Sequence, residues 1–436
     1  MGERKGRFRP TIGYAAITEW AARLFEPFAR WLTVERATAY VTIAAVVMWL
    51  RYVFNLTTPG LMDRVGHLKG ADFLQFYTAG MFVKMHQLAS LYDVQQFLAM
   101  SARAVPGVPN WWRYLPVYPP QIAFLFWPFS YLPYLSSYLL FSVLNLALYA
   151  VCVMILAKLF PRLARRGFTL VALAMAFPPF FDAVAYGQVS ILVLTCITVA
   201  LWAHLRRNCI IAGIALGCTA FKPPIFVSFA VAVIAVQAID MIAGLAIGGL
   251  AQLGLVLIFA GFPIVKAYAQ FVATLPRLDD LALAVRPYQM HSLRSFWMLL
   301  GTGPLAPILW LASSTCVLVI LARYWRRQTR PDLRFGTLVV AAVLIDPHLY
   351  IYDGVILLPA LAISIMYALE DLEGKRAAVI MVAIYMLFVT LLLGPLSRVT
   401  HFQLSVLVLM TLFLGLTAKS ERRPALAAPQ SGETVG

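Results

Sequence analysis

Apolar blocks of about 20 residues recur along most of this chain, the length a helix needs to cross the hydrocarbon of a bilayer. Lipid offers no partner for a peptide N–H or C=O, so each block must satisfy its backbone within itself, as a helix does. A closed barrel satisfies it too, but needs alternating strands of about 10 residues, and these blocks are solidly apolar. Only 12% of the residues are charged and 61% are hydrophobic, against about a quarter charged in soluble proteins. That excludes a soluble enzyme on an anchor, a disordered scaffold and a secreted disulfide module. The expected fold class is an all-α polytopic membrane protein.

At roughly 17–25 residues per span, the pattern predicts twelve spans: 37–56, 133–158, 167–182, 188–205, 208–222, 224–239, 241–261, 304–322, 334–346, 353–369, 376–394 and 402–418. They form one domain, 37–418. It is preceded by a basic segment, 1–36, and followed by a tail, 419–436, expected to be disordered. The start has no signal-peptide cleavage pattern, and residues 11–32 read as an interfacial amphipathic helix. The net charge is +16, from 35 Lys and Arg against 19 Asp and Glu. With the N-terminus in the cytoplasm, roughly two-thirds of the basic residues fall at the inner span edges, as the positive-inside rule asks. The charge is thus an orientation signal, and no nucleic-acid partner is expected. Both termini are placed in the cytoplasm. The five cysteines, in apolar stretches without metal-ligand spacing, read as small core residues.

The outer side departs from plain spans. Residues 57–132 are too long for a connector and carry aromatic-rich pieces at 72–89, 93–104 and 111–130, the last with Trp111 and Trp112. In the first, Phe73, Phe76, Tyr77 and Gly80 share one helical face, and the expectation is a helix lying along the outer interface. A second outer loop, 262–303, holds Arg277, Asp279, Asp280, Arg286, His291 and Arg294.

Polar residues near span ends gather on this outer side: Asp72, Lys84, His86, Asp182, Gln188, Lys222, His291, Asp346, His348, Asp353, Arg398 and His401. Ionisable groups at membrane depth are costly and mark function by default. Asp72-Phe73-Leu74-Gln75 reads either as a helix N-cap with a capping box or as a general base at the water–lipid boundary. Asp93-Val94-Gln95-Gln96 has the same pattern. Lys222 before Pro223-Pro224 is either a snorkelling lysine or a cation for a phosphate held at the bilayer surface. Gly187-Gln188-Val189-Ser190 is a helix-start turn or an anion-binding one. Asp346-Pro347-His348-Leu349-Tyr350-Ile351-Tyr352-Asp353 packs two carboxylates, a histidine and two tyrosines between apolar spans and reads as a binding or catalytic segment. Arg286, His291 and Arg294 suit anionic lipid or a solvated loop equally. HxH, HExxH, DxD, CxxC, P-loop and GxGxxG patterns are absent, so no metal and no nucleotide cofactor is expected.

In these motifs the chain resembles glycosyltransferase family 87, polyprenyl-phosphate-sugar-dependent enzymes of the GT-C fold. The matching pieces run in order: Ala71-Asp72-Phe73 with Tyr77-Thr78-Ala79-Gly80, Leu91-Tyr92-Asp93, Tyr118-Pro119-Pro120 with Pro128, Asn145, Gly187-Gln188, Lys222-Pro223, then Pro347-His348 through Tyr352-Asp353 and Leu357-Leu358-Pro359. Ser190 stands where family members often have Asn. The resemblance implies a GT-C-type bundle of about twelve transmembrane helices with interfacial helices in the first outer loop. It implies Asp72 as catalytic base and a lipid-phosphate sugar donor, commonly polyprenyl-phosphate mannose. The acceptor would be a lipid or glycan. Lys222 and His348 would face the donor phosphate or the acceptor, with Gln188, Tyr118, Asp353, Tyr352, Arg294 and His291 as further substrate-binding candidates. The expected setting is the inner (plasma) membrane, with the active site on its periplasmic or extracellular side.

A transporter or flippase of lipid-linked sugars is the competing reading, but transporters usually show inverted repeats and midplane breaks, and here the polar residues sit at one edge. A non-catalytic membrane assembly factor is a third. The orientation is directly testable. A single cysteine placed beside Asp72 should react with a membrane-impermeant maleimide added to intact cells; labelling from the cytoplasmic side alone would invert the topology.

Overall fold

The computed structural model describes residues 31, 33–109, 114–275, 286–370 and 375–418. Most of the segment 1–36, including nearly all of the expected helix at 11–32, lies outside them. So do Trp111, Trp112, Arg277, Asp279, Asp280 and the tail 419–436. Among the described residues there is no strand, only the isolated bridges Met62–Leu68 and Met290–Tyr350.

The helices are α1 (Val34–Leu56), α2 (Phe73–Lys84), α3 (Val94–Ala104), α4 (Gln121–Phe126), α5 (Tyr134–Leu159), α6 (Gly167–Met175), α7 (Pro178–Tyr186), α8 (Ser190–Leu205) and α9 (Cys209–Gly217). They continue with α10 (Pro223–Ala235), α11 (Ile239–Thr274), α12 (Leu293–Leu299), α13 (Ala306–Arg327), α14 (Pro331–Ile345), α15 (Leu358–Glu370), α16 (Lys375–Leu392) and α17 (Leu404–Thr417). Short 3-10 turns and two four-residue helices join some of them. Every expected apolar block falls on a helix or helix pair. Among the described residues, five helical segments are long and apolar enough to cross a membrane: Val34–Leu56, Tyr134–Leu159, Ile239–Thr274, Gly303–Arg327 and Ile351–Glu370. Counting the bent pair α6–α7 (51°) makes up to six. Several of the rest are shorter: Pro178 and Pro223 each stand at the start of a helix and close the preceding one.

The core surrounds α8 and α14. α14 is buried on every side from Phe335 to Ile345, as a helix apolar all round must be. By contrast α1 and α11 present large bare side chains outward, including Ile43, Leu50, Leu250, Ile258 and Phe259. Such faces are insoluble in water and natural in lipid.

Three details add to or correct the sequence reading. α2 is covered on nearly every side: Phe73, Phe76, Phe82 and the residues between are almost all buried, wrapped by α3, α4, α5 and the turn at Pro128–Tyr131. Its one-sided aromatic pattern hid that Leu74, Ala79 and Phe82 make the other sides apolar as well, while buried Thr78 finds Ser101 at 3.1 Å. The second outer loop begins as helix, because α11 runs 36 residues. At about 1.5 Å per residue that far exceeds a ~30 Å hydrocarbon core. It bends where Gly261 takes φ 74° and ψ 176° ahead of Pro263. The outer part then packs Tyr268 and Phe271 on Tyr92, at ring distances of 5.2 and 5.9 Å. Third, the five cysteines are free, but Cys316 is exposed rather than in the core.

α9 and α11 pack backbone to backbone. A Cβ on Gly213 would lie 2.2 Å from the Met241 carbonyl oxygen, one on Gly217 2.4 Å from that of Leu245, and one on Gly244 2.1 Å from that of Ile210. Small residues four apart on both helices allow this close approach, the usual route to helix association in lipid. Gly244→Ala should therefore destabilise the protein by about 1–3 kcal/mol or more. Gly254→Ala, where nothing lies within 4 Å, should not. Thermal unfolding in detergent distinguishes the two.

Candidate functional site

Asp72 and Asp93 have the same local sequence pattern and different fates. Asp93 is a helix cap: its Oδ1 accepts from the Gln96 backbone N–H at 3.0 Å and its Oδ2 from the Gln96 side chain at 3.2 Å. Those bonds hold its carboxyl below the usual carboxylate range. Asp72 precedes α2 without making a side-chain cap. Instead Oδ1 accepts from the Tyr114 hydroxyl at 2.9 Å and Oδ2 from the Gln188 Nε2 at 2.6 Å.

The strand of chain leading to Asp72 is clamped. The Tyr134 hydroxyl donates to the Lys69 and Gly70 carbonyls at 3.0 and 2.7 Å. Gly70 has φ +65°, and a Cβ there would strike the Tyr138 ring at 2.3 Å. Burial raises the Asp72 carboxyl above the ordinary aspartate range, and Asp353 adds to the rise; the bonds from Gln188 and Tyr114 and the charge of Lys222 oppose it.

The turn between α7 and α8 carries the partner groups. Gly187 closes α7 in the left-handed conformation, φ +71°, and a Cβ there would meet that of Phe73 at 2.6 Å. After it, Gln188 reaches Asp72 while Ser190, the first residue of α8, donates to Asp353 Oδ1 at 2.7 Å. The same oxygen pairs with Lys222 Nζ, which also donates to Ser190 Oγ at 3.0 Å. Lys222 and Asp353 are 5% and 2% exposed, so Lys222 does not snorkel. Its Nζ lies 5.1 Å from the centre of the Tyr352 ring, a cation–π contact. Tyr352 stacks on Tyr350, which His348 meets edge-on at 4.9 Å. Asp346, beside this group, accepts from Ser228 at 3.0 Å and from the His348 backbone N–H at 2.7 Å.

One cluster thus joins Asp72, Gln188, Lys222, Asp353 and Tyr352. Tyr118 borders it: its ring packs on Phe76 at 4.9 Å and its carbonyl accepts from Tyr92 at 3.0 Å. Arg294 donates to the Pro347 carbonyl at 2.9 Å, bracing the segment that carries His348. His291 is buried and bonded to Ser405 at 2.7 Å, where it ties the 290s to α17. Lys84 caps the Ser130 carbonyl at 3.0 Å, and Arg398 lies over Tyr288, both elsewhere. Tyr114 and Ser228 are in the cluster although no sequence motif singles them out. A tyrosine near Trp111-Trp112 and a serine inside an apolar helix look like interface and packing residues until their partners are seen.

The arrangement offers a carboxylate oriented by two donors, next to a buried cation–carboxylate pair and a group of aromatic rings. That combination can take a proton from a hydroxyl, and the cation and rings suit a phosphate and a sugar face. Among the described residues, no group of three or more His, Cys, Asp or Glu is gathered to hold a metal ion. A family model described as glycosyltransferase family 87 matches residues 117–347, just over half of the chain. The match contains Tyr118, Gln188, Ser190, Lys222 and Asp346; Asp72, Tyr114 and Asp353 lie beyond its ends. No curated protein and no solved structure matches the chain.

The buried pair makes a stability prediction. Removing one partner strands a charge in a site of low polarity, a loss of about 3–5 kcal/mol. Asp353→Leu should therefore lower the unfolding temperature strongly. Lys222→Met combined with Asp353→Leu should recover most of that loss, as read by thermal unfolding in detergent.

Proposed function

The chain belongs to glycosyltransferase family 87, and from that premise we propose that it moves a hexose, mannose foremost, from a polyprenyl-phosphate donor to a lipid or glycan acceptor. Family membership makes it a glycosyltransferase, and its apolar helices embed it in a membrane. The finer reading is an inverting GT-C enzyme of about twelve spans in the inner membrane, both termini cytoplasmic and the site at the outer surface. Membership in a transferase family speaks against the flippase alternative.

The observation that carries the reaction is Asp72. It has the sequence of a helix cap but no side-chain cap bond, and both its oxygens are engaged by residues that converge on it from distant parts of the chain. In the proposed reaction an acceptor hydroxyl gives its proton to Asp72 as its oxygen forms a bond to the anomeric carbon. Attack comes from the side opposite the phosphate. The anomeric carbon–oxygen bond to phosphate breaks, its electron pair stays on the phosphate, and the configuration inverts. The products are the glycosylated acceptor, polyprenyl phosphate and protonated Asp72. Lys222 meets the phosphate and stabilises its charge as the bond breaks, giving up part of its contact with Asp353. His348, Tyr352 and Tyr118 are assigned to the sugar and phosphate surroundings. The scheme uses no metal or other cofactor.

Transfer from radiolabelled polyprenyl-phosphate mannose in proteoliposomes tests it. Asp72→Asn should abolish transfer with the fold intact; transfer at the wild-type rate would remove Asp72 as base. The pH dependence has a definite sign. A base must be unprotonated, and burial raises this carboxyl above its unperturbed 3.8. Activity should therefore fall as pH drops, with its acid midpoint above 3.8.

A further inference from the structure

We propose that Tyr114 and Gln188 are positioning residues that fix the orientation of the Asp72 carboxylate, and that neither binds substrate directly. The proposal deepens the reading of Asp72 as a general base and rests on it. An ionised carboxylate accepts at two oxygens, each with two lone-pair directions. Tyr114 takes one direction at Oδ1 and Gln188 one at Oδ2, so the plane of the group is set and the remaining directions are left for a hydroxyl. A base works only within a narrow geometry, and that geometry has to be supplied by neighbours whose own positions are locked.

Both donors meet that condition. Gln188 is 1% exposed, which leaves no surface for a sugar or phosphate to touch. Its backbone is tied at both ends: its N–H donates to the Ala183 carbonyl at 2.8 Å, and its carbonyl accepts from Asn145 at 3.4 Å. Its Oε1 has no hydrogen-bond partner among the described residues, so the bond to Asp72 is the one the side chain is directed to make. An amide that gives up its acceptor bond to hold a carboxylate is arranged for that carboxylate. Tyr114 enters from the other side, at the head of the segment 114–118. That segment is pinned by Tyr92 to the Tyr118 carbonyl at 3.0 Å and by Tyr268 of α11 to the Val117 carbonyl at 3.4 Å. The outer part of α11, beyond its bend, therefore supports the residue that orients Asp72.

Other groups also set the charge state of Asp72. Lys222 and Asp353 act on it directly. Asp182 and Tyr186 of α7, Tyr134 of α5, Tyr118, and Tyr350 and Tyr352 share its electrostatic surroundings. Among the described residues none of these donates a hydrogen bond to its oxygens, and all are retained in the variants below. Loss of either donor should therefore raise the carboxyl further and loosen its orientation.

The test uses the full chain in proteoliposomes with polyprenyl-phosphate mannose. Tyr114→Phe and Gln188→Met keep shape and remove the donor. Each should lower kcat about ten- to a hundredfold, the usual cost of one hydrogen bond to a charged group. The donor KM should be unchanged, and the acid midpoint of kcat should move to higher pH. A second readout needs no turnover. A hydrophobic carbodiimide reacts with protonated carboxyls, and its labelling of Asp72, mapped by mass spectrometry against pH, should shift the same way in both variants. A raised KM with kcat and the pH profile unchanged would make the two residues substrate contacts and overturn the proposal. So would wild-type kinetics and labelling in both variants. If Asp72→Asn is inactive in that case, the base assignment survives alone. If Asp72→Asn is active, the base assignment fails and takes the positioning role with it.

Discussion

Gln188 and Ser190 leave the same turn in different directions, and the candidate site depends on that divergence. Gly187 permits it. The chain must reverse from α7 into α8 with positive φ, against Phe73, where there is no room for a Cβ. One position on, Gln188 faces the first outer loop and holds Asp72. Three positions on, Ser190 joins Lys222 to Asp353. Groups more than a hundred residues apart in sequence meet because one glycine turn lies between them.

Energetically the cluster consists of charges with little access to water. A buried ion pair seldom adds stability over an apolar one, but either charge alone is expensive. Lys222 and Asp353 therefore constrain each other, with the hydroxyl of Ser190 and the ring of Tyr352 completing the surroundings. Burial shifts Asp72 toward neutrality, and two donors and a nearby cation oppose that shift. A carboxylate in that balance is sensitive to its neighbours.

How much of this was legible in the chain differs from element to element. The apolar blocks predicted the helices well, because lipid leaves the backbone no other solution. Their lengths were less legible: Gly261 and Pro263 bend α11 without ending it, and prolines at 178 and 223 cut other helices short. The aromatic face of Phe73, Phe76 and Tyr77 is legible as helical, but a one-sided pattern does not say what covers the other sides. The glycines at 213, 217, 244 and 248 form spaced pairs, a signal in plain view that only a partner helix makes meaningful. Asp72 and Asp93 could not be ranked locally, because capping uses the same residue types that catalysis does.

The sequence alone determined the solvent, the helical class, the sign of the excess charge, and the family through its ordered motifs. Each is a property of composition or local order. Only the tertiary structure decided which carboxylate caps and which is held by side chains, that Lys222 is already paired, that His291 belongs to packing, and that Tyr114 belongs to the site. Those outcomes depend on contacts between residues distant in the chain. A hydrogen bond between such residues is set by how helices pack in three dimensions, and local spacing carries no information about it.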